Sequence, residues 1–170
     1  MLHTDTRTWS VTVPALDRPG VIARPPRLYQ GFLALGVGLH YIVPLPALPG
    51  GVTAGARSVA AAALVTLGVA LMVAAVRQFR AAGTNVETFK PATALVTDGV
   101  FRVSRNPMYL SLSLIYVGIG VALDSLWILA LFVPLIVLMR HGVIAREERY
   151  LERKFGDHYL RYQASVRRWL

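Results

Sequence analysis

Apolar residues gather into four runs: Leu28 to Leu48, Val59 to Val76, Tyr109 to Leu123 and Leu126 to Met139. A bilayer-spanning helix needs roughly 20 predominantly apolar residues. The first two runs meet that length, although Pro44 and Pro46 sit near the end of the first. The last two are shorter and separated only by Asp124-Ser125, with Pro134 inside the fourth. They read as a tight helical hairpin, each helix extended by less apolar residues at its cytoplasmic end. The pattern predicts an all-α integral-membrane bundle of about four transmembrane helices. It divides the chain into a cytoplasmic N-terminal segment (1–27), two transmembrane helices (28–76) and a core (77–170) made of a cytoplasmic loop, the hairpin and basic C-terminal helices.

Composition agrees with that reading. The 170 residues are 55% hydrophobic and 16% charged, with mean hydropathy +0.50, which is too apolar for an ordinary soluble domain. The formal net charge of +9 would suggest nucleic acid in a soluble protein. Here the charge is sorted by the runs. With four spans, 17 of the 18 basic residues fall on one side, Arg57 being the exception, so that side is expected to be cytoplasmic, with both termini. No nucleic-acid partner is expected; the basic tail is expected to meet the lipid bilayer. The N-terminal stretch lacks an apolar core and does not read as a cleaved signal peptide. Cysteine is absent, and the four histidines lack metal-ligand spacing, so no metal site is expected. Ala34 and Gly38, and Ala70 and Ala74, have the spacing of close helix packing. His40, an ionisable residue inside a span, reads equally well as a site or as a neutral hydrogen-bonded histidine.

Two polar-side segments are candidates for chemistry. The second loop, Arg77 to Met108, is long, yet Phe79, Val86, Phe89, Leu95, Val96, Val100, Phe101 and Val103 demand burial, so a folded lid on the helix ends is expected. Thr97-Asp98-Gly99 suits a turn. It leads into "VSRNPMYL", where Arg105-Asn106-Pro107 alone reads as snorkelling arginine and a proline in a first helical turn. The second segment is "AREERYLERKFGDHYLRYQASVRRWL". Arg146 to Phe155 reads as a helix ended by Gly156, with Glu147 and Glu148 about 12–14 Å beyond the last apolar run if the helix is unbroken. Alone, these acids read as a solvated charged face.

Taken together, "LVTDGVFRVSRNPMYL", a short hairpin and "EERYLERKFGDHYLRYQASVRRWL" resemble the isoprenylcysteine carboxyl methyltransferase and phospholipid methyltransferase families of integral-membrane enzymes. The resemblance runs from about Gly83 to Leu170. It implies S-adenosyl-L-methionine bound in a cytoplasmic pocket and a lipophilic methyl acceptor entering from the bilayer. It carries cofactor-binding roles onto Thr93, Ala94, Leu95 and Val96, onto Phe101, and onto Asn106, Pro107, Met108 and Tyr109. It adds the Gly118 and Gly120 pair with Glu147 and Glu148. Within it, a glutamate can accept hydrogen bonds from the cofactor's ammonium, an aromatic face of Tyr109 or Phe101 can lie near the sulfonium, and Arg102 or Arg105 can meet the carboxylate. Arg105, Asn106 and Tyr109 are the positioning candidates, and no catalytic group is assigned.

Several positions depart from the family. Asn106 stands where histidine is common, Phe101 where tyrosine is, and Ser111 where glycine is. Asparagine hydrogen-bonds but carries no proton near neutral pH. The arginine that meets the substrate carboxylate in isoprenylcysteine enzymes is Val143 here, leaving Arg140 and Arg146 as the nearest candidates for a substrate anion. Two other readings compete: an NADPH-dependent membrane reductase of the sterol-reductase type, and a non-catalytic membrane scaffold. The acceptor's identity and the oligomeric state are not legible.

Overall fold

A computed structural model of the chain describes residues 19–87 and 90–170. Among them all regular structure is helical: α1 (Pro25–Ile42), α2 (Ala54–Ala81), α3 (Pro107–Ala122), α4 (Leu126–Leu138), α5 (Ala145–Phe155) and α6 (Asp157–Ser165). A 3₁₀ turn, Gly99–Arg102, precedes α3, and a π-helical stretch, Met139–Ile144, joins α4 to α5 without a break. Expectations falling on 1–18, including Arg7 and Arg18, and on Phe89 lie outside the described residues.

Local chemistry sets the ends. The first apolar run stops as helix at Ile42, short of the expected Leu48, because Pro44 and Pro46 cannot donate backbone hydrogen bonds. α2 outruns its apolar stretch at both ends, and Thr53 caps it by accepting from Ala56 N at 3.2 Å. Pro107 opens α3, where a missing N–H costs nothing. Ser125 caps α4, and Asp124 takes φ +50° to turn the hairpin in two residues. Pro134 leaves α4 unbroken.

Two helices are long and apolar enough to cross a membrane: Ala54–Ala81 and the continuous Leu126–Phe155. Pro107–Ala122 is apolar but shorter. Seven of the eleven residues of α5 are charged, so the apolar part of the long helix ends before Glu147. The π stretch lies at that junction.

The α3–α4 hairpin is central, with α2 packed along α3 and α1 along α4. Glycines allow the close approach. A Cβ on Gly68 would stand 2.8 Å from both Ser111 O and Ile115 Cγ1, and one on Gly118 2.8 Å from Val65 Cγ2. Gly36 lies against the backbone of Ile128. The expected packing pairs are corrected: Ala34, Gly38 and Ala70 are exposed, and Gly38 has nothing near its Cβ position. Both faces of these helices are apolar, so small-residue spacing alone has no phase.

One core, built on Tyr29, Tyr116, Ile128, Leu135 and Met139, holds α1, α3 and α4 together. A second lies at the basic end. Phe101, Ala75, Tyr159 and Tyr162 gather Phe79, Leu95, Val96 and Val100, so the long loop is folded onto α2, α5 and α6. Val103 is the exception to the burial expected of that loop, at 62% exposed. At the opposite end Asp124 Oδ1 accepts from Ala47 N and Leu48 N, both at 2.9 Å, while its Oδ2 pairs with Arg57 Nη1 at 3.1 Å. That carboxylate ties the α1–α2 loop to the hairpin tip.

Candidate cofactor cavity

The loop, the start of α3, α5 and α6 enclose a cleft of about 880 Å³, counting its open mouth. Its loop wall is held by hydroxyl and amide bonds. Thr84 Oγ1 accepts from Thr93 N at 3.0 Å and Ala94 N at 3.3 Å, Thr93 Oγ1 donates to Gly83 O at 2.9 Å, and Asn85 Nδ2 donates to Pro91 O at 2.8 Å. Ala92 N donates to Tyr150 Oη at 3.0 Å, tying the loop to α5. The next turn is fixed from α2: the Gln78 amide, oriented to satisfy both partners, donates to Asp98 O at 2.9 Å and accepts from Val100 N at 3.2 Å. Gly99, at φ +57°, leaves room for that side chain where any Cβ would collide with it.

Phe101 packs edge-on against Phe79 at 5.0 Å, and its carbonyl accepts from Tyr162 Oη at 2.7 Å. Downstream, Arg105, Asn106, Pro107, Met108 and Tyr109 all line the cleft. Asn106 does not cap α3 with its side chain; its Nδ2 donates to Arg168 O at 3.0 Å. Tyr109 Oη donates to Glu147 Oε2 at 2.8 Å.

The two glutamates have different surroundings. Glu148, 12% exposed, is gripped by Arg168, whose Nε and Nη2 donate to Oε1 and Oε2 at 2.9 and 2.6 Å, and Arg105 Nη1 stands 3.3 Å away. Glu147 has no Lys or Arg ion-pair partner among the described residues. Its surroundings push its pKa up to about 7: burial raises it most, the Tyr109 hydrogen bond opposes that, and the neighbouring Glu148 charge adds to it. Arg105, 10% exposed, spends Nη1 on the Glu148 ion pair, while its buried Nε has no hydrogen-bond acceptor among the described residues. Among the described residues the cleft thus holds a carboxyl group without a cationic partner and a guanidinium with an unspent Nε donor. Such a pair suits a ligand carrying both an ammonium and a carboxylate.

The structure brings Ala94, Leu95, Val96, Phe101 and residues 105–109 together with Glu147 and Glu148. It does not bring in every expected residue. Thr93 braces the loop from outside the lining. Gly118 and Gly120 lie at helix crossings, against Val65 and Leu129. Arg146 donates to Gly20 O at 3.0 Å, Arg140 is exposed, and neither lines the cleft. Arg102 is 75% exposed and pairs with Asp98. Sequence reasoning missed Tyr150, Tyr159, Tyr162 and Arg168. The signal available was the recurrence of aromatics at 150, 159 and 162 within an otherwise charged tail.

The family model for phospholipid methyltransferase matches residues 56–158, more than half of the chain. An uncharacterized protein of Haemophilus influenzae is 50% identical to the chain over 64 residues, 37% of this chain and 100% of that protein. No solved structure matches.

Proposed function

The chain belongs to the phospholipid methyltransferase family, a family of membrane methyltransferases, and from that premise we propose that it transfers the methyl group of S-adenosyl-L-methionine to a lipophilic acceptor at the membrane interface. The observation that carries this reading is the convergence of residues 94–96, 101 and 105–109 with Glu147 in one cleft, where, among the described residues, the Glu147 carboxyl has no cationic partner and Arg105 keeps an unspent Nε donor. In this reading Glu147 accepts from the cofactor's ammonium and Arg105 donates to its carboxylate. The faces of Tyr109, Tyr150 and Phe101 offer π density to a sulfonium. Loop residues 94–96 wall the adenine side, and Thr84 and Thr93 hold them there.

When bound, the cofactor supplies an activated methyl group. The chain's own contribution is positioning and exclusion of water: Tyr109 fixes the Glu147 carboxyl, Arg168 fixes Asn106, and the second core seals the loop. Asn106 orients and carries no proton.

α1 and α3 complete four crossings with the two long helices. The sequence pattern of basic residues, with Arg57 alone expected on the other side, supports a cytoplasmic cleft end with both termini cytoplasmic. A reductase would bring NADPH phosphates beside Glu147 and Glu148, against like charge. Thermal unfolding of the purified protein in detergent, with each cofactor, separates the readings. Stabilisation by S-adenosylmethionine and none by NADPH is expected; the reverse, or no response to either, refutes the proposal.

A further inference from the structure

We propose that Arg168, carried on the C-terminal strap after α6, is a positioning residue that neutralises Glu148 and so reserves Glu147 for the ligand's cation. This rests on the reading of the cleft as a cofactor site.

The strap is built into the threshold of α3. Arg105 N donates to Arg167 O at 3.0 Å. Asn106 Nδ2 and Ser104 Oγ both donate to Arg168 O, at 3.0 and 3.3 Å. Val166 packs on the second core and Trp169 on the first, which anchors the strap on both sides of Arg168. Its guanidinium then reaches across to α5 and takes both oxygens of Glu148. Bidentate, charge-assisted contact of this kind fixes geometry as well as charge.

Charge arithmetic gives the strap a purpose. Glu147 and Glu148 are adjacent on α5 and both line the cleft. Two ionised carboxylates there would repel each other, and either would attract a ligand ammonium. Arg168, Arg105 and Glu148 together sum to +1, so the second carboxylate is occupied and two guanidiniums counter the repulsion it exerts on an ionised Glu147. Among the described residues, the other titratable groups lining the cleft with Glu147 include Tyr109 from α3, Tyr150 on α5, and Tyr159 and Tyr162 from α6. The loop adds Glu87 and Lys90, which pair with each other. Removing Arg168 takes the cluster beside Glu147 from +1 to 0.

The test is carbon NMR of glutamate carboxyls in ligand-free protein, with the Glu147 signal assigned by its loss in Glu147→Gln. Arg168→Gln is expected to raise the Glu147 titration midpoint by about half a pH unit, the effect of one unit charge several ångströms away in a largely aqueous dielectric. Arg168→Lys keeps the charge and should leave the midpoint near wild type. Glu148→Gln combined with Arg168→Gln returns the cluster to +1 and should restore it. In parallel, S-adenosylmethionine should bind Arg168→Gln about threefold more weakly below pH 7 and equally above pH 8.5, by the ionised fraction. A midpoint unmoved in Arg168→Gln, or as displaced in the double variant as in the single, overturns the inference. If Arg168→Gln misfolds, the double variant must still fold because it leaves no unpaired carboxylate; its misfolding also overturns the inference. Failure of wild type to bind the cofactor refutes the functional reading separately, because the ligand-free titration still decides the role of Arg168.

Discussion

Cofactor affinity should follow a bell-shaped pH profile whose acid limb belongs to Glu147. The ligand's ammonium needs the carboxylate form, and burial keeps that carboxyl protonated up to about pH 7. At pH 6 about a tenth of the protein has Glu147 ionised, and apparent affinity scales with that fraction. On the basic side, an α-amino group of ordinary pKa, about 7.7–8.0, loses its own proton. The product of the two fractions peaks near pH 7.5 and is about sixfold lower at pH 6. Tyr109→Phe removes the 2.8 Å bond that holds Glu147 down, so it should move the acid limb to higher pH and weaken binding most at pH 6. Glu147→Gln should abolish that limb. Isothermal titration calorimetry of the protein in detergent across pH 5.5–8.5 gives the profile. A dissociation constant unchanged within about twofold between pH 6 and 7.5, or an acid limb surviving in Glu147→Gln, would refute the reasoning.

The same carboxyl carries a stability cost with a defined sign. The folded protein holds a proton on Glu147 between the ordinary glutamate value of 4.5 and about 7, where the unfolded chain has released it, so its contribution worsens as pH rises through that window. Glu147→Gln should therefore raise Tm at pH 8, by about 2–4 °C per kcal/mol regained, and leave it unchanged at pH 4; equal shifts at both pH values contradict this. Gly68→Ala places a Cβ 2.8 Å from Ser111 O and Ile115, so it should cost about 1–3 kcal/mol and lower Tm, while Gly38→Ala, facing open space, should not. Asp124→Ala removes the acceptor of two backbone N–H groups and the Arg57 pair, and should expose the 44–53 loop to protease without altering cofactor affinity.

Much of this was legible in residue order, for identifiable reasons. Helices follow from apolar runs, and the start at Pro107 and the stop at Gly156 were legible because each acts through its own backbone, whereas the first run was expected to continue to Leu48 and stops at Ile42. The loop was legible as folded because Leu95, Val96 and Phe101 are too apolar to leave in water. Helix faces were not legible. α2 is apolar all round, so nothing in its pattern distinguished Gly68, at the contact, from the exposed Ala70. The glutamates show the same limit at finer scale. Neighbours on a helix point about 100° apart, and only the third dimension shows that Glu148 turns to Arg168 while Glu147 turns to Tyr109. The strap was hidden because its contacts join positions far apart, Asn106 and Arg168 being 62 positions apart. Such pairings arise from the packing of α6, which no local rule encodes.

The central claim is that this cleft binds S-adenosylmethionine through Glu147. The most direct test compares binding of the cofactor to wild-type protein and to Glu147→Ala by calorimetry at pH 7.5, with folding of both verified by their thermal transitions. The account predicts one site per chain in wild type and affinity lowered by about 1.5–3 kcal/mol, or roughly 10- to 150-fold, in the variant. No binding by folded wild-type protein, or equal affinity in Glu147→Ala, would contradict it.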